Sequence, residues 1–304
     1  MAGTVIILKQ MVIMFIYMAV GCILFRKKLL SKEASKGLAN LLLYVILPSV
    51  IIKSFGAADD RQSAGAIAGS VLLGIAILLL AMAVAAALFR KNPIDNFGAA
   101  FSNAGFMGIP LISSLVGPEA VLYTAGMVAF LNIFQWFYGQ SILAGKKMEL
   151  HYKEILSNPL VLSFAAGLAV YFLRIKLPEL LLTPINALSA LNAPIAMIVL
   201  GVYLAQTDIK VLFEERKLYY VSLARLFIIP AATLLFLSLF RGMGTEVKMS
   251  LLIAAAAPVG SNVAVYAQKL GTDYTYAVKT VCLSTLLSII SMPACIWAAE
   301  VMWR

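Results

Sequence analysis

Seven stretches of this chain contain no Asp, Glu, Lys or Arg and are each long enough, or nearly so, to cross a bilayer: residues 62–89, 96–118, 120–145, 155–173, 180–207, 249–268 and 280–299. A membrane-spanning helix needs about 20 mainly apolar residues. Lipid cannot satisfy backbone N–H and C=O groups, so segments of this kind close their hydrogen bonds internally as helices. Three further spans, roughly 4–25, 37–55 and 218–240, follow if Lys9, Lys53 and Arg225 are accepted at or within their segments. The expected count is ten. Hydrophobic residues make up 62% of the chain and charged residues 12%, where a soluble domain carries about a quarter charged. The expected fold class is an all-α polytopic membrane protein.

The net charge of +10 does not point to nucleic acid, because the basic residues sit in short loops between spans. With both termini on the non-cytoplasmic side, cytoplasmic loops hold Arg26, Lys27, Lys28, Lys32, Lys36, Arg90, Lys91, Lys146, Lys147, Lys153, Lys210, Arg216, Lys217 and Lys269. The opposite side holds Lys53, Arg61, Arg174, Lys176, Arg241, Lys248 and Arg304. Fourteen against seven follows the positive-inside rule and predicts a multi-pass protein of the inner (plasma) membrane. The N-terminal run reads as a first span with its basic end in the cytosol, not as a cleavable signal peptide. Cys22, Cys282 and Cys295 all fall in spans and imply no disulfide framework. The one histidine, His151, lies in a charged loop and offers no metal site alone. No nucleotide fingerprint or catalytic triad spacing is present, so neither an enzyme nor a cofactor is expected.

Two of the apolar runs are interrupted by polar, flexible segments at matching places. The first is Asn103-Ala104-Gly105-Phe106-Met107-Gly108-Ile109-Pro110; the second is Ala257-Pro258-Val259-Gly260-Ser261-Asn262. Unwound backbone at that depth must be buried in protein or line a wet cavity. A pair of broken helices in corresponding positions is the best sequence pointer to a transporter's substrate site. The chain divides at the charged loop 146–154 into halves 1–145 and 155–304, each with five expected spans. An odd number per half makes any repeat inverted. Landmarks recur: Pro48 and Pro194 lie 146 residues apart, Gly117 and Gly271 lie 154 apart.

Asn103 and Asn262 supply amide donors and carbonyl acceptors, glycines such as Gly105 free the backbone, and half-helix N-termini direct partial positive charge at an anion. Candidate substrate-binding residues are therefore Asn103, Gly105, Pro110, Pro258, Ser261 and Asn262, with Arg225 added for its charge. Arg225 lies eight residues beyond Lys217, about 12 Å along a helix, and two readings stay open. It either snorkels to the interface or bonds the carbonyls of a broken helix, or else it complements a carboxylate substrate. Neutral oxygens suited to a coupling ion occur at Ser102, Thr124, Asn132 and Gln268, while Gln135, Thr124 and Thr280 read as interhelical bonders. Acidic residues fall at span ends, so a proton relay has little to use unless Asp95 or Asp273 is drawn inward. The Gly65-xxx-Gly69 spacing permits close helix contact.

Several of these stretches resemble the auxin efflux carrier family: Gly21-Cys22-Ile23-Leu24-Phe25-Arg26-Lys27-Lys28, Leu41-Leu42-Leu43-Tyr44-Val45-Ile46-Leu47-Pro48, the segment from Asn103 to Pro110, Arg225-Leu226-Phe227-Ile228-Ile229-Pro230 and Pro258-Val259-Gly260-Ser261-Asn262. The short central loop is like that of a prokaryotic member. The resemblance implies a ten-helix inverted-repeat fold shared with bile acid sodium symporters. There, spans 1, 2, 6 and 7 form a scaffold, spans 3–5 and 8–10 a mobile core, and broken spans 4 and 9 cross at the substrate site. It also implies a protein, in many members a homodimer, that carries an organic anion such as malonate or an auxin-like acid; an elevator-type or a rocking movement is expected. Asn103 and Pro110 match the first crossover; Pro258, Ser261 and Asn262 match the second. The ninth-span carboxylate of bile-acid-carrier sodium sites has no equivalent in this chain, Gln268 being the nearest polar residue. Coupling to Na⁺, to H⁺ or to neither stays open. The rival readings are a ligand sensor, which would carry a signalling domain, and a channel, whose flux would not saturate.

Overall fold

A computed structural model of the protein describes residues 2–57, 63–145 and 157–303. The 146–154 linker with His151, and Arg61 and Arg304, lie outside the described residues. Helices follow one another in this order: α1 (Ala2–Arg26), α2 (Lys32–Gly56), α3 (Ala64–Leu88), α4 (Pro93–Ala100), α5 (Ala104–Leu115), α6 (Glu119–Ala144), α7 (Pro159–Phe172), α8 (Glu179–Ala205), α9 (Ile209–Glu214), α10 (Arg216–Ser238), α11 (Thr245–Ala256), α12 (Asn262–Lys269) and α13 (Tyr274–Met302). Seven of them, α1, α2, α3, α6, α8, α10 and α13, are long and apolar enough to cross a membrane. The chain is an all-helical, multi-pass membrane protein.

Local chemistry sets the helix boundaries. Ser31 and Ser63 accept from the amides of Ala34 and Ala66 at the starts of α2 and α3, and Asp273 accepts from Tyr276 N at the start of α13. Each satisfies a donor that the first helical turn leaves free. Asn158 does the same for α7, with Pro159 at the first helical position, where its missing N–H costs nothing. Gly145 ends α6 in the left-handed region, φ 64°.

Three membrane-buried prolines leave the same signature. Widened, π-type turns occupy Leu42–Ile46, Ala104–Gly108 and Ala224–Ile228, each ending two residues before Pro48, Pro110 or Pro230. Proline donates no hydrogen bond, and its ring presses on the carbonyl four residues earlier. A wider turn carries that carbonyl out of the way. Pro184 and Pro293 sit inside helices without one.

Glycines on both sides allow a close crossing of α1 with the second half of α8. A Cβ on Gly21 would overlap the carbonyl of Ile198, and one on Gly201 would overlap the carbonyl of Met18. Cys22 Sγ donates to Gly201 O at 3.0 Å across the same crossing. The spacing Gly65-xxx-Gly69 does not serve this purpose: Gly65 faces open space, and Gly69 meets only the flexible end of Met243. Because the colliding atoms at Gly21 and Gly201 are backbone, neither side can yield locally. Gly201→Ala is expected to destabilise the protein by about 1–3 kcal/mol or more, read as a lower unfolding midpoint in detergent. Gly65→Ala is expected to leave that midpoint unchanged.

Candidate functional site

The two interruptions break their helices and meet. Residues 101–103 join α4 to α5, residues 257–261 join α11 to α12, and the two links run antiparallel. Asn103 N donates to Pro258 O at 2.8 Å, Gly260 N donates to Phe101 O at 2.9 Å, and Ser102 lies opposite Val259. Val259 N donates to Ser284 Oγ on α13 at 3.2 Å. Each broken helix thus satisfies backbone groups that the other exposes, which lipid could not do. The close pairing favours glycine at 260, where a Cβ would stand a tight 3.1 Å from Ser102 O and 3.2 Å from Phe101 O.

Arg225 holds the other open ends. It is 1% exposed, and its guanidinium donates to Ala99 O at 2.9 Å, to Ala100 O at 3.4 Å and to Ala255 O. These carbonyls belong to the last turns of α4 and α11, where helices carry unpaired acceptors and partial negative charge. One cation therefore ties both half-helix C-termini together. Of the two readings open for Arg225, the structure places it on the broken-helix carbonyls and outside the wall of the central cavity.

That cavity, about 30 Å³, lies where the N-termini of α5 and α12 converge. Its polar wall is Ser102, Asn103, Asn132, Gln135, Ser261 and Asn262, with Gly105 and Gly260 contributing backbone and Leu43, Leu47 and Phe106 apolar surface. The first bonds within α5 run from Met107 N and Gly108 N to Asn103 O, so the amides of residues 104–106 precede the helical ladder. Asn103 is 5% exposed, and its Nδ2 is buried without a hydrogen-bond partner, as is Ser102 Oγ. Asn262 Nδ2 donates to Gln135 Oε1 at 2.6 Å.

The structure thus gathers Asn103, Gly105, Ser261, Asn262, Ser102 and Asn132 around one space. Asn103 and Asn262 both line it without bonding each other. Pro258 contributes its carbonyl to the crossing. Pro110 faces a different cavity, Thr124 is fully buried with Oγ1 on Val121 O, and Gln268 lies outward of the site. Thr124 and Thr280 do not bridge helices: each bonds a carbonyl of its own helix, three or four residues back, a reach open to any short hydroxyl. Gln135 does bridge, and its partner is the site residue Asn262.

Two larger spaces flank the centre. One of about 240 Å³ is lined by Lys32, Lys36, Asn40, Gln268 and Tyr274 and shares Leu43, Phe106, Ser261 and Asn262 with the central cavity. The other, about 250 Å³, is lined by Gln10, Lys53, Pro110, Ser113, Ser114 and Asn192. Lys32 and Lys53 stand near opposite ends of α2, about 30 Å apart at 1.5 Å per residue. Between centre and second space, Asn192 Nδ2 donates to Gly105 O at 3.3 Å.

Residues 6–158 and 150–296 match the family described as membrane transport protein. A "Putative malonate transporter" of Rhizobium meliloti is 28% identical over 274 residues, covering 84% of each chain. An "Uncharacterized transporter" of Methanothermobacter thermautotrophicus is 26% identical over 290 residues, 90% of this chain and 92% of the relative. With broken helices meeting in the membrane and these matches running along nearly its whole length, the chain belongs to the membrane transport proteins of the auxin efflux carrier type and is a transporter, not an enzyme.

Proposed function

We propose that the protein is a secondary transporter that carries a small organic carboxylate, malonate or an acid of similar size, by alternating access at the crossing. The observation that carries this reading is the buried, unpartnered Nδ2 of Asn103, a residue that lines the cavity on which two helix N-termini converge. A buried donor without an acceptor costs about 1–3 kcal/mol. A carboxylate oxygen would relieve that cost and meet the positive ends of both half-helices. The relative named for malonate supports the substrate class.

The flanking spaces support the movement. The central cavity has room for about one water, while a larger space with charged and polar residues in its wall lies toward each end of α2. Admitting a carboxylate requires Leu43 and Phe106 to part on one side or the Asn192–Gly105 contact on the other. In this reading the α4–α5 and α11–α12 pairs are the fourth and ninth of ten spans, in inverted halves 1–145 and 155–304. Spans 1, 2, 6 and 7 form a scaffold and spans 3–5 and 8–10 an elevator-type core. The protein would sit as a homodimer in the inner membrane, both termini on the non-cytoplasmic side.

Purified protein in proteoliposomes, given radiolabelled malonate under imposed Na⁺, H⁺ or no gradient, tests the proposal. The expected result is uptake that saturates with malonate and is stimulated by one gradient. Flux that rises without saturation would mark a channel, and binding without flux a sensor; either outcome discards alternating access at the crossing.

A further inference from the structure

Asp95 is the one carboxylate buried among the described residues, 4% exposed, and nothing in the crossing uses it. It stands in the first turn of α4, five residues and about 8 Å before Ala100, whose carbonyl Arg225 holds. Its Oδ1 accepts from the Tyr276 hydroxyl of α13 at 2.8 Å. No cation pairs with it among the described residues. Lys279, one turn beyond Tyr276, is committed to Glu215 at 2.9 Å.

Arg90 and Lys91, on the loop that leads into α4, are exposed. From α10, the charge of Lys217 acts on Asp95 and is opposed by that of the neighbouring Glu215, and Arg225 is turned to its carbonyls. Tyr266 of α12 packs its ring on Phe97, Lys269 ends that helix, and Tyr138 of α6 donates to Asn96. Asp273 caps α13. Helix α3 presents no titratable side chain. A carboxylate withdrawn from water with one hydroxyl donor and no ion pair is costly when charged. Acids buried in membrane proteins are rare and by default mark substrate or ion pathways and proton relays.

We propose that Asp95 binds and releases the proton that drives transport, so that carboxylate and proton cross together; the coupling half of this proposal rests on the carboxylate reading above. In the step, a proton from water at the α4–α13 end forms an O–H bond on Asp95. The Tyr276 hydroxyl, which both donates and accepts, turns to accept from it; release reverses both movements. Since α4 runs directly into the crossing, one short helix joins Asp95 to the wall of the substrate cavity.

The test uses infrared difference spectra of the purified full-length protein as pH is lowered from about 8 to about 5, with uptake of malonate in parallel. A protonated-carboxyl band is expected to grow in, to shift with ¹³C-labelled aspartate and to vanish in Asp95→Asn, which keeps the acceptor for Tyr276 but cannot titrate. Tyr276→Phe removes a bond that favours the charged form, so its band is expected at higher pH. An inward proton gradient is expected to raise wild-type malonate uptake several-fold and leave Asp95→Asn uptake unchanged. A titrating band that survives in Asp95→Asn, the absence of any titrating carboxyl, or a gradient response retained by Asp95→Asn overturns the proposal. A band that behaves as expected without malonate flux supports the proton site and counts against the carboxylate reading instead.

Discussion

Arg225→Met is expected to prevent folding or to lower stability by on the order of 3–5 kcal/mol, although methionine is the more comfortable residue in lipid. The guanidinium lies on the carbonyls of Ala99, Ala100 and Ala255, the last-turn acceptors of two different half-helices. Hydrogen bonds from a charged group contribute about 1.5–3 kcal/mol each. Removing the donor leaves several buried acceptors in a site that water does not reach. Arg225→Lys is expected to rescue only partly, since a compact ammonium lacks the planar fork that spans two helix ends. Fluorescence-detected size exclusion and the unfolding midpoint in detergent read the outcome. A Met variant that is monodisperse with a wild-type midpoint but no transport would instead place Arg225 in direct service to the substrate anion.

That either role was conceivable shows where sequence stops. The chain states that helices break at 103–110 and 257–262, because Asn, Gly and Pro cluster there inside uncharged runs. It does not state what satisfies the broken ends, since Asn103 N and Pro258 O are 155 residues apart and paired only by the fold. Asp95 reads as the end of a span because Arg90 and Lys91 precede it; it is buried by Tyr276, a residue of the other half. Glycine spacing was also a weak guide. Gly65 and Gly69 fit a contact motif yet face no neighbouring backbone, whereas Gly21 and Gly201 are isolated glycines in ordinary apolar runs. Close approach needs a glycine on each of two helices at the same height, a coincidence no single run displays. Gln135 likewise became a site residue only through Asn262, 127 positions away.

Asn103→Asp is the sharpest probe of the cavity itself. It changes one terminal atom group, keeps the side chain's size, and places a carboxylate beside the converging N-termini of α5 and α12. If those termini and the free Asn103 amide receive a carboxylate substrate, the resident charge both occupies and repels. Malonate uptake is then expected to fall by at least a hundredfold, about 2.8 kcal/mol at 1.4 kcal/mol per decade. Asn103→Ala removes an amide donor that has no partner in the protein, so its unfolding midpoint is expected to stay near wild type while uptake drops about tenfold or more. Asn262→Ala differs, because it strands Gln135 Oε1; loss of uptake there comes with about 1–3 kcal/mol of lost stability. A cation site at the same place predicts the opposite sign. Ser102, Asn132 and Ser261, which carry carbonyl and hydroxyl oxygens, also line the cavity, and a new carboxylate among them would tighten Na⁺ binding. Uptake by Asn103→Asp that survives and needs less Na⁺ than wild type would therefore move the anion away from Asn103 and put the coupling ion in its place.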